Sequence, residues 1–493
     1  MPCSAPANRR VSSGRLYGPP ESGSLHPNNG RDTSTKRRHG VVWESPNNPE
    51  GADVSPAHDP STVTPEQAAH LLRRGLGRRA LLRSAAALAA AGSVAAWPGA
   101  GHAATPGRTA APSGSPPSPG FPILQPGAGK VAGTYVPARA QEVYWGHLPN
   151  RASEPVAVVS SGDVVTLDTV SHEGVLEDQG QDPIGYFTSF DVPEDQILRD
   201  AVQIAAESQH AGPGPHVTTG PIAVRGAEPG DVLKIEILDI ALRVPYGVVS
   251  NREGKGALPG EYPEAFREVP EYAPYLNEGG NVSIFTSVER ARGRYRGVLP
   301  GDVPAGFDLA PFMGIMGVAR DTTAMIDSVP PTDAGGNLDI NDLGAGSTLY
   351  LPVQVPGALF FSGDPHMAQG DGEVALTAME GSQRPTFRLT VVKPGSGDAP
   401  KIAFDYPFAE TPDFWVPVGL SDPDGPEGGS NETSLDIAMK TAVRNALAFL
   451  TEELGMAGPV AYTYLSAATD FEVSQVVDRT TGIHALIRKA DLG

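Results

Sequence analysis

A single cysteine, Cys3, is all that this 493-residue chain contains. It lies in the polar N-terminal leader, so the body of the protein has neither disulfides nor thiol chemistry. Basic residues are scarce beside acidic ones, 37 against 57, and no basic patch occurs after residue 110. That balance argues against a nucleic-acid partner. No apolar run is long or apolar enough to hold a membrane permanently, so stable insertion is not expected. Two catalytic signatures are missing as well. There is no Gly-x-Ser-x-Gly elbow, and His172-Glu173 is followed by Gly-Val-Leu instead of completing a His-Glu-x-x-His helix. A hydrolase built on this chain must therefore activate water, most naturally with a metal.

What is present divides into a leader and a globular body. Residues 1–60, rich in Ser, Asn, Pro, Arg and Gly, have no apolar periodicity and are expected to be disordered or untranslated. Over 61–104, the twin Arg78-Arg79 precedes a short run of small apolar residues from Ala85 to Trp97 and the small-residue pattern ending at Ala103. This is the layout of a twin-arginine signal peptide cleaved near Ala103, and it predicts an exported, extracytoplasmic protein. A signal normally opens a chain, so initiation downstream of Met1 is expected, with Val63 the obvious start. A Pro/Ser/Gly-rich linker over 105–132 leads into the body.

In the body, period-two apolar runs bounded by Gly-Asp turns predict strands over 156–170, 220–240 and 343–361. Helices are few. Pro193 opens one over 193–209, with Ile197, Ala201, Ile204 and Ala205 on a stripe. A second is predicted over 433–454, capped by Thr433 and Asp436, stopped by Gly455, and packed through Leu435, Met439, Ala442, Ala446 and Leu450. A strand over 471–478 follows. The reading is a mainly β protein with an α+β C-terminal portion, and with surface excursions at 251–280 and 398–432.

One stretch concentrates the chemistry. Gly363–Val374, "GDPHMAQGDGEV", holds Asp364, His366, Gln369, Asp371 and Glu373 among three glycines and a proline. It is too broken for a helix and too polar for a buried strand, so a turn that gathers metal-binding groups is expected. A calcium-binding acidic turn is the other reading of the same residues. His216 opens a predicted strand from a Gly/Pro turn. Asn337, Asp339 and Asp342 sit in "GGNLDIND", which also reads as an Asx-rich turn.

Taken in order, "HVTTGPIAVRGAEPGDVLKIEILDI", "PFMGIMGVA", "GGNLDINDLGAGSTLYLPVQVPGALFFSGDPHMAQGDGEVALTAME" and "AYTYLSAATDFEVSQVVD" resemble the acetamidase/formamidase family across roughly residues 135–485. The resemblance implies a jelly-roll-like β-sandwich, a homo-oligomer of two or more copies, and metal-assisted hydrolysis of a short aliphatic amide to a carboxylate and ammonia. On this reading Asp339, Asp364, His366 and His216 are metal ligands for zinc or calcium. Glu373, with Asp371 as a second acid, moves the water proton, and Asn337 and Gln369 hydrogen-bond the amide. The glycines of 363–372 would let backbone approach the substrate. A non-catalytic metal- or ligand-binding protein on the same scaffold, or a metal hydrolase of esters or other C–N bonds, are the competing readings.

Overall fold

The computed structural model describes residues 120–303, 305–422 and 434–492. The leader, the twin-arginine segment, the first part of the linker and the stretch 423–433, with the expected cap Thr433, lie outside them.

Two large sheets dominate the described residues. In the first, nine strands run in the order Thr134–Val136, Asp163–Leu167, Gln383–Val392, Val232–Leu242, Thr348–Pro352, Phe408–Glu410, Phe414–Leu420, Gly482–Arg488 and Asp470–Gln475, antiparallel after the first pair. The second places Phe360–Ala368 at its centre. Phe312–Gly317 lies on one side of that strand, and Met379–Glu380 and Val217–Arg225 complete its pairing. Alternation decides what each strand buries. Leu233, Ile235, Ile237, Phe387 and Leu389 of the first sheet meet Ile222, Val224, Met313, Met316 and Phe360 of the second in one apolar core, so the sheets form a sandwich. A second core, with Trp145, Phe187, Ile204, Tyr246 and Met367, packs the Arg199–Glu207 helix against the other face of the second sheet.

Several expectations change. Phe360–Ala368 is a buried strand, although it contains Asp364, Pro365 and His366. Its polarity is tolerated because those side chains face other titratable groups in a pocket. Gly363 serves strand packing, not substrate approach, since a side chain there would strike the Val217 carbonyl oxygen at 2.6 Å. The linker ends earlier than expected. Leu124 donates its N–H to the Arg243 carbonyl at 3.0 Å, and the buried Arg384 guanidinium reaches the carbonyls of Gln125 and Ala128. The 398–432 stretch is not a simple excursion either, because Phe408–Glu410 and Phe414–Leu420 are strands of the first sheet.

The C-terminal helix spans Leu435–Ala448, with Ser434 as its cap, and continues as a wider turn over Phe449–Glu453. Its buried face is Ala438, Ala442, Ala446, Phe449 and Leu450, whereas Leu435 and Met439 are each 38% exposed. The reason is a close approach. Gly419 lies under Ala438 and Ala442, and a Cβ on Gly419 would overlap their backbones. Only the smallest side chains fit that seam. A helix absent from the sequence reading, Gly458–Ala468, follows.

This packing is testable by urea unfolding. Ala442→Leu is expected to cost about 1–3 kcal/mol by overpacking the seam, and Met439→Ala to change stability by no more than about 0.5 kcal/mol. A large loss for Met439→Ala with a tolerated Ala442→Leu would put the other face against the sheet.

Candidate active site

Strand pairing assembles the site. Asp364 and His366 sit on the central strand, and Glu380 stands directly opposite His366 on the neighbouring strand. Asp339 follows Gly335–Asn337, His216 precedes Val217–Arg225, and His172 lies five residues beyond Asp163–Leu167. Glu373 and Asp478 come from loops after their strands. Asp339, Asp364 and Glu373 have φ of +50°, +52° and +48°. Such backbone is uncommon for residues other than glycine and costs on the order of 1–3 kcal/mol each, so the surrounding structure must hold it.

Gly314, on the Phe312–Gly317 strand, makes the room. A Cβ there would lie 2.5 Å from Asp339 Oδ1, 2.6 Å from Asp364 Oδ2 and 2.8 Å from His366 Cε1.

Asp364 is the corner of the cluster. Its Oδ1 lies 3.5 Å from His172 Nδ1 and 3.7 Å from His216 Nε2, and its Oδ2 lies 3.0 Å from His366 Nε2. His366 Nε2 is also 3.0 Å from Glu380 Oε1 and 3.9 Å from Glu373 Oε1. All these groups are buried. Close approach here is not hydrogen bonding, because both ring nitrogens of His172, Asp364 Oδ1, His366 Nε2 and both Asp339 carboxylate oxygens have no aligned partner. Buried polar atoms are rarely left in that state unless a ligand, ion or water completes them.

The outer hydrogen bonds fix tautomers. Gln369 Nε2 donates to the carbonyls of Asp339 and Ser474 at 2.9 and 3.0 Å, so its Oε1, 2.9 Å from His366 Nδ1, must accept. His366 therefore carries a proton on Nδ1 and turns Nε2 toward the acids. His216 Nδ1 lies 3.0 Å from Ser328 Oγ and 3.2 Å from the Ser328 carbonyl; since the carbonyl can only accept, the Nδ1–H tautomer satisfies both contacts and leaves Nε2 facing Asp364.

Burial works against charge throughout, yet its outcome differs from group to group. It pushes His216 down to about 4, the neutral form a metal requires. It also raises Glu380 to about 7, helped by the Asp364 charge, and raises Glu373 and Asp339 well above the carboxylate range. Asp478 likewise rises to about 7. For Asp364, burial is overcome by His216 and His366, which hold it well below its ordinary value. His172 rises to about 10 because Asp364 and Glu173 outweigh its burial. Glu173 is held down to about 2, against its burial, chiefly by Arg252.

A divalent cation fits this donor set. His172, His216 and Asp364 present ligand atoms within 4.8 Å of one another, and those of His172 and Asp364 are among the atoms without an aligned partner. Asp339 with His366 and Glu373, and Asp364 with His366 and Glu380, form two adjoining groups of the same compactness. The cluster floors a cleft of about 870 Å³, reached past Arg252, Lys255, Leu376, Leu435 and Arg479.

The structure thus brings together His216, Asp339, Asp364, His366 and Glu373, with Asn337 buried on the cleft wall and its Oδ1 unpaired. It does not bring in Asp371, which is exposed on the loop and accepts a hydrogen bond from Asn341 Nδ2 at 2.9 Å. Gln369 is likewise no substrate contact, since its amide is spent on holding His366 and two carbonyls. Leu435, expected in the core, lines the cleft. Sequence reasoning missed His172, Glu380 and Asp478. The adjacent His172-Glu173 pair after an apolar run was a usable signal, whereas Glu380 is revealed only by cross-strand register.

The family model described as the Acetamidase/Formamidase family matches residues 195–329 and 322–487. A provisionally named formamidase of Schizosaccharomyces pombe is 31% identical over 37% of this chain and 53% of that protein, so the chain spans about half the length of that relative. A formamidase of Methylophilus methylotrophus is 28% identical over 53% of this chain and 73% of that protein. A crystal structure of an acetamidase from Yersinia enterocolitica has a TM-score of 0.54 at 23% identity, covering 74% of this chain and 95% of that one; it supports the mainly β fold.

Gly314→Ala tests the cluster without touching a titratable group. Its methyl group is expected to displace the Asp339 and Asp364 carboxylates and weaken divalent-metal affinity at least about tenfold, with secondary structure retained. Calorimetric titration with zinc reads this, and unchanged affinity would mean that the cluster is not the cation site.

Proposed function

This chain belongs to the acetamidase/formamidase family, and on that premise we propose that it hydrolyses short aliphatic amides to a carboxylate and ammonia in the His172–Asp364–Glu373 pocket. The observation that carries the proposal is a set of buried imidazole and carboxylate donors without aligned partners, beside a carboxyl whose proton affinity burial has raised. We assign a divalent cation, zinc or calcium, to His172, His216 and Asp364. When bound, such a cation supplies Lewis acidity to a carbonyl oxygen and makes water more acidic.

The protein's residues do the rest. Glu373 takes the proton of the attacking water as the oxygen adds to the amide carbon, then delivers it to the nitrogen as the C–N bond breaks. Ammonia leaves with the bonding pair, and the carboxylic acid formed gives its remaining proton to it, so that carboxylate and ammonium result. Asn337 Oδ1, buried and unpaired, accepts from the substrate N–H₂ and orients the carbonyl. His366, held by Gln369, and Glu380 maintain the geometry and charge of Asp364. Glu373 and Asp339 adjoin His366, and burial, with the charges of Asp478, Asp364 and Glu380, raises the proton affinity of Glu373. Export by the twin-arginine route is part of the proposal, motivated by Arg78-Arg79, and the family likeness favours a homo-oligomer.

Ammonia release and elemental analysis test this together. Glu373→Gln is expected to keep its metal and lose on the order of 10²–10⁴ in rate on formamide or acetamide, while His216→Ala loses metal and activity together. Equal loss of metal in both variants would make Glu373 a ligand. Retained metal without turnover of any small amide would favour a binding protein.

A further inference from the structure

The cleft is far larger than an acetamide molecule, and its titratable floor is separated from solvent by a mouth that carries three cationic side chains. Inside are Asp364, Glu373 and Glu380. At the mouth are Arg252, Lys255 and Arg479. Two of these cations are committed: Arg252 pairs with Glu173 at 3.2 Å and Asp178 at 3.1 Å, and Arg479 pairs with Asp327. Among the described residues the Lys255 ammonium has no hydrogen-bonded or ion-paired acid.

Lys255 is not placed by chance. Its own N–H donates to the Arg252 carbonyl at 3.1 Å, closing a turn. That turn is stitched to the loop of Glu373, since Ala257 N–H donates to the Val374 carbonyl at 2.9 Å and Asn251 Nδ2 to the Ala375 carbonyl at 2.7 Å. Gly256, with φ of +79°, permits this contact, because a side chain there would press on Asn251 Nδ2 and both carbonyls at 3.0–3.3 Å. The loop carrying the base and the turn carrying the cation are therefore one unit. Burial and repulsion from Arg252 and Arg479 lower the proton affinity of Lys255. An anion placed among them would offset that repulsion.

From this geometry we propose that the preferred substrates are amides carrying a carboxylate at the end remote from the amide, with Lys255 as the residue that selects them. The inference rests on the amidase reading and deepens it. Pairing of the remote carboxylate with the Lys255 ammonium at the mouth selects one orientation, amide inward toward Glu373 and carboxylate outward. The product is a dicarboxylate.

The test is the ratio of kcat/KM for succinamate to that for acetamide, by ammonia release, in the unaltered metal-loaded protein and in Lys255→Met and Lys255→Glu. The ratio is expected to exceed one in the unaltered protein and to fall at least about tenfold in Lys255→Met, mainly through KM. It should fall further in Lys255→Glu, which should gain on the cationic amide β-alaninamide. The preference should also weaken as salt is raised. A ratio that is the same in all three proteins, with acetamide turned over, overturns the anion subsite alone. Ammonia from none of the amides overturns the amidase reading and this inference with it.

Discussion

Five carboxyl groups, those of Asp339, Asp364, Glu373, Glu380 and Asp478, are withdrawn from water around three imidazoles, and the rest of the structure is arranged so that this can persist. Leaving a buried charge uncompensated costs several kcal/mol. The sandwich core meets that cost, and the strand at its centre delivers Asp364 and His366 into the cluster in adjacent register with Glu380. Gly314 keeps the space open, and the left-handed backbone at Asp339, Asp364 and Glu373 turns side chains inward that a relaxed backbone would aim elsewhere. Strain and unpaired groups coincide here, as expected where stability is given up for chemistry.

A cation at His172, His216 and Asp364 would resolve the electrostatic conflict directly. It would hold Asp364 ionised without recourse to charged histidines, and it matches the neutral state that burial imposes on His216. The same field explains the cationic mouth. Arg252 holds Glu173 charged beside His172, so the rim and the floor of the cleft are electrostatically linked.

Much of this was legible in the sequence where the relevant groups are neighbours along the chain. Asp364, His366 and Glu373 share one strand and its following loop, so their clustering was readable although the predicted strand stopped at 361, before the residues that matter. The rest depended on pairing. Glu380 faces His366 only because two strands are in register, and His172 arrives from a separate sheet. Asp371 looked equivalent to Glu373, two residues away, but the loop turns it to solvent. The C-terminal helix shows a different failure. Large apolar residues marked Leu435 and Met439 as its inner face, yet contact with Gly419 demanded alanines, so the smallest side chains define the buried side. The acidic, Pro-rich composition near 398–432 hid two strands, one of them the continuous apolar run "FWVPVGL".

The central claim is that this buried cluster is a divalent-cation site. Crystals grown with zinc, with diffraction recorded above the zinc absorption edge, test it most directly through an anomalous difference map. The account predicts a strong peak within bonding distance of His172, His216 and Asp364. A map with no peak there, or with zinc only at the separate Asp342–Glu472–His484 group, would contradict it.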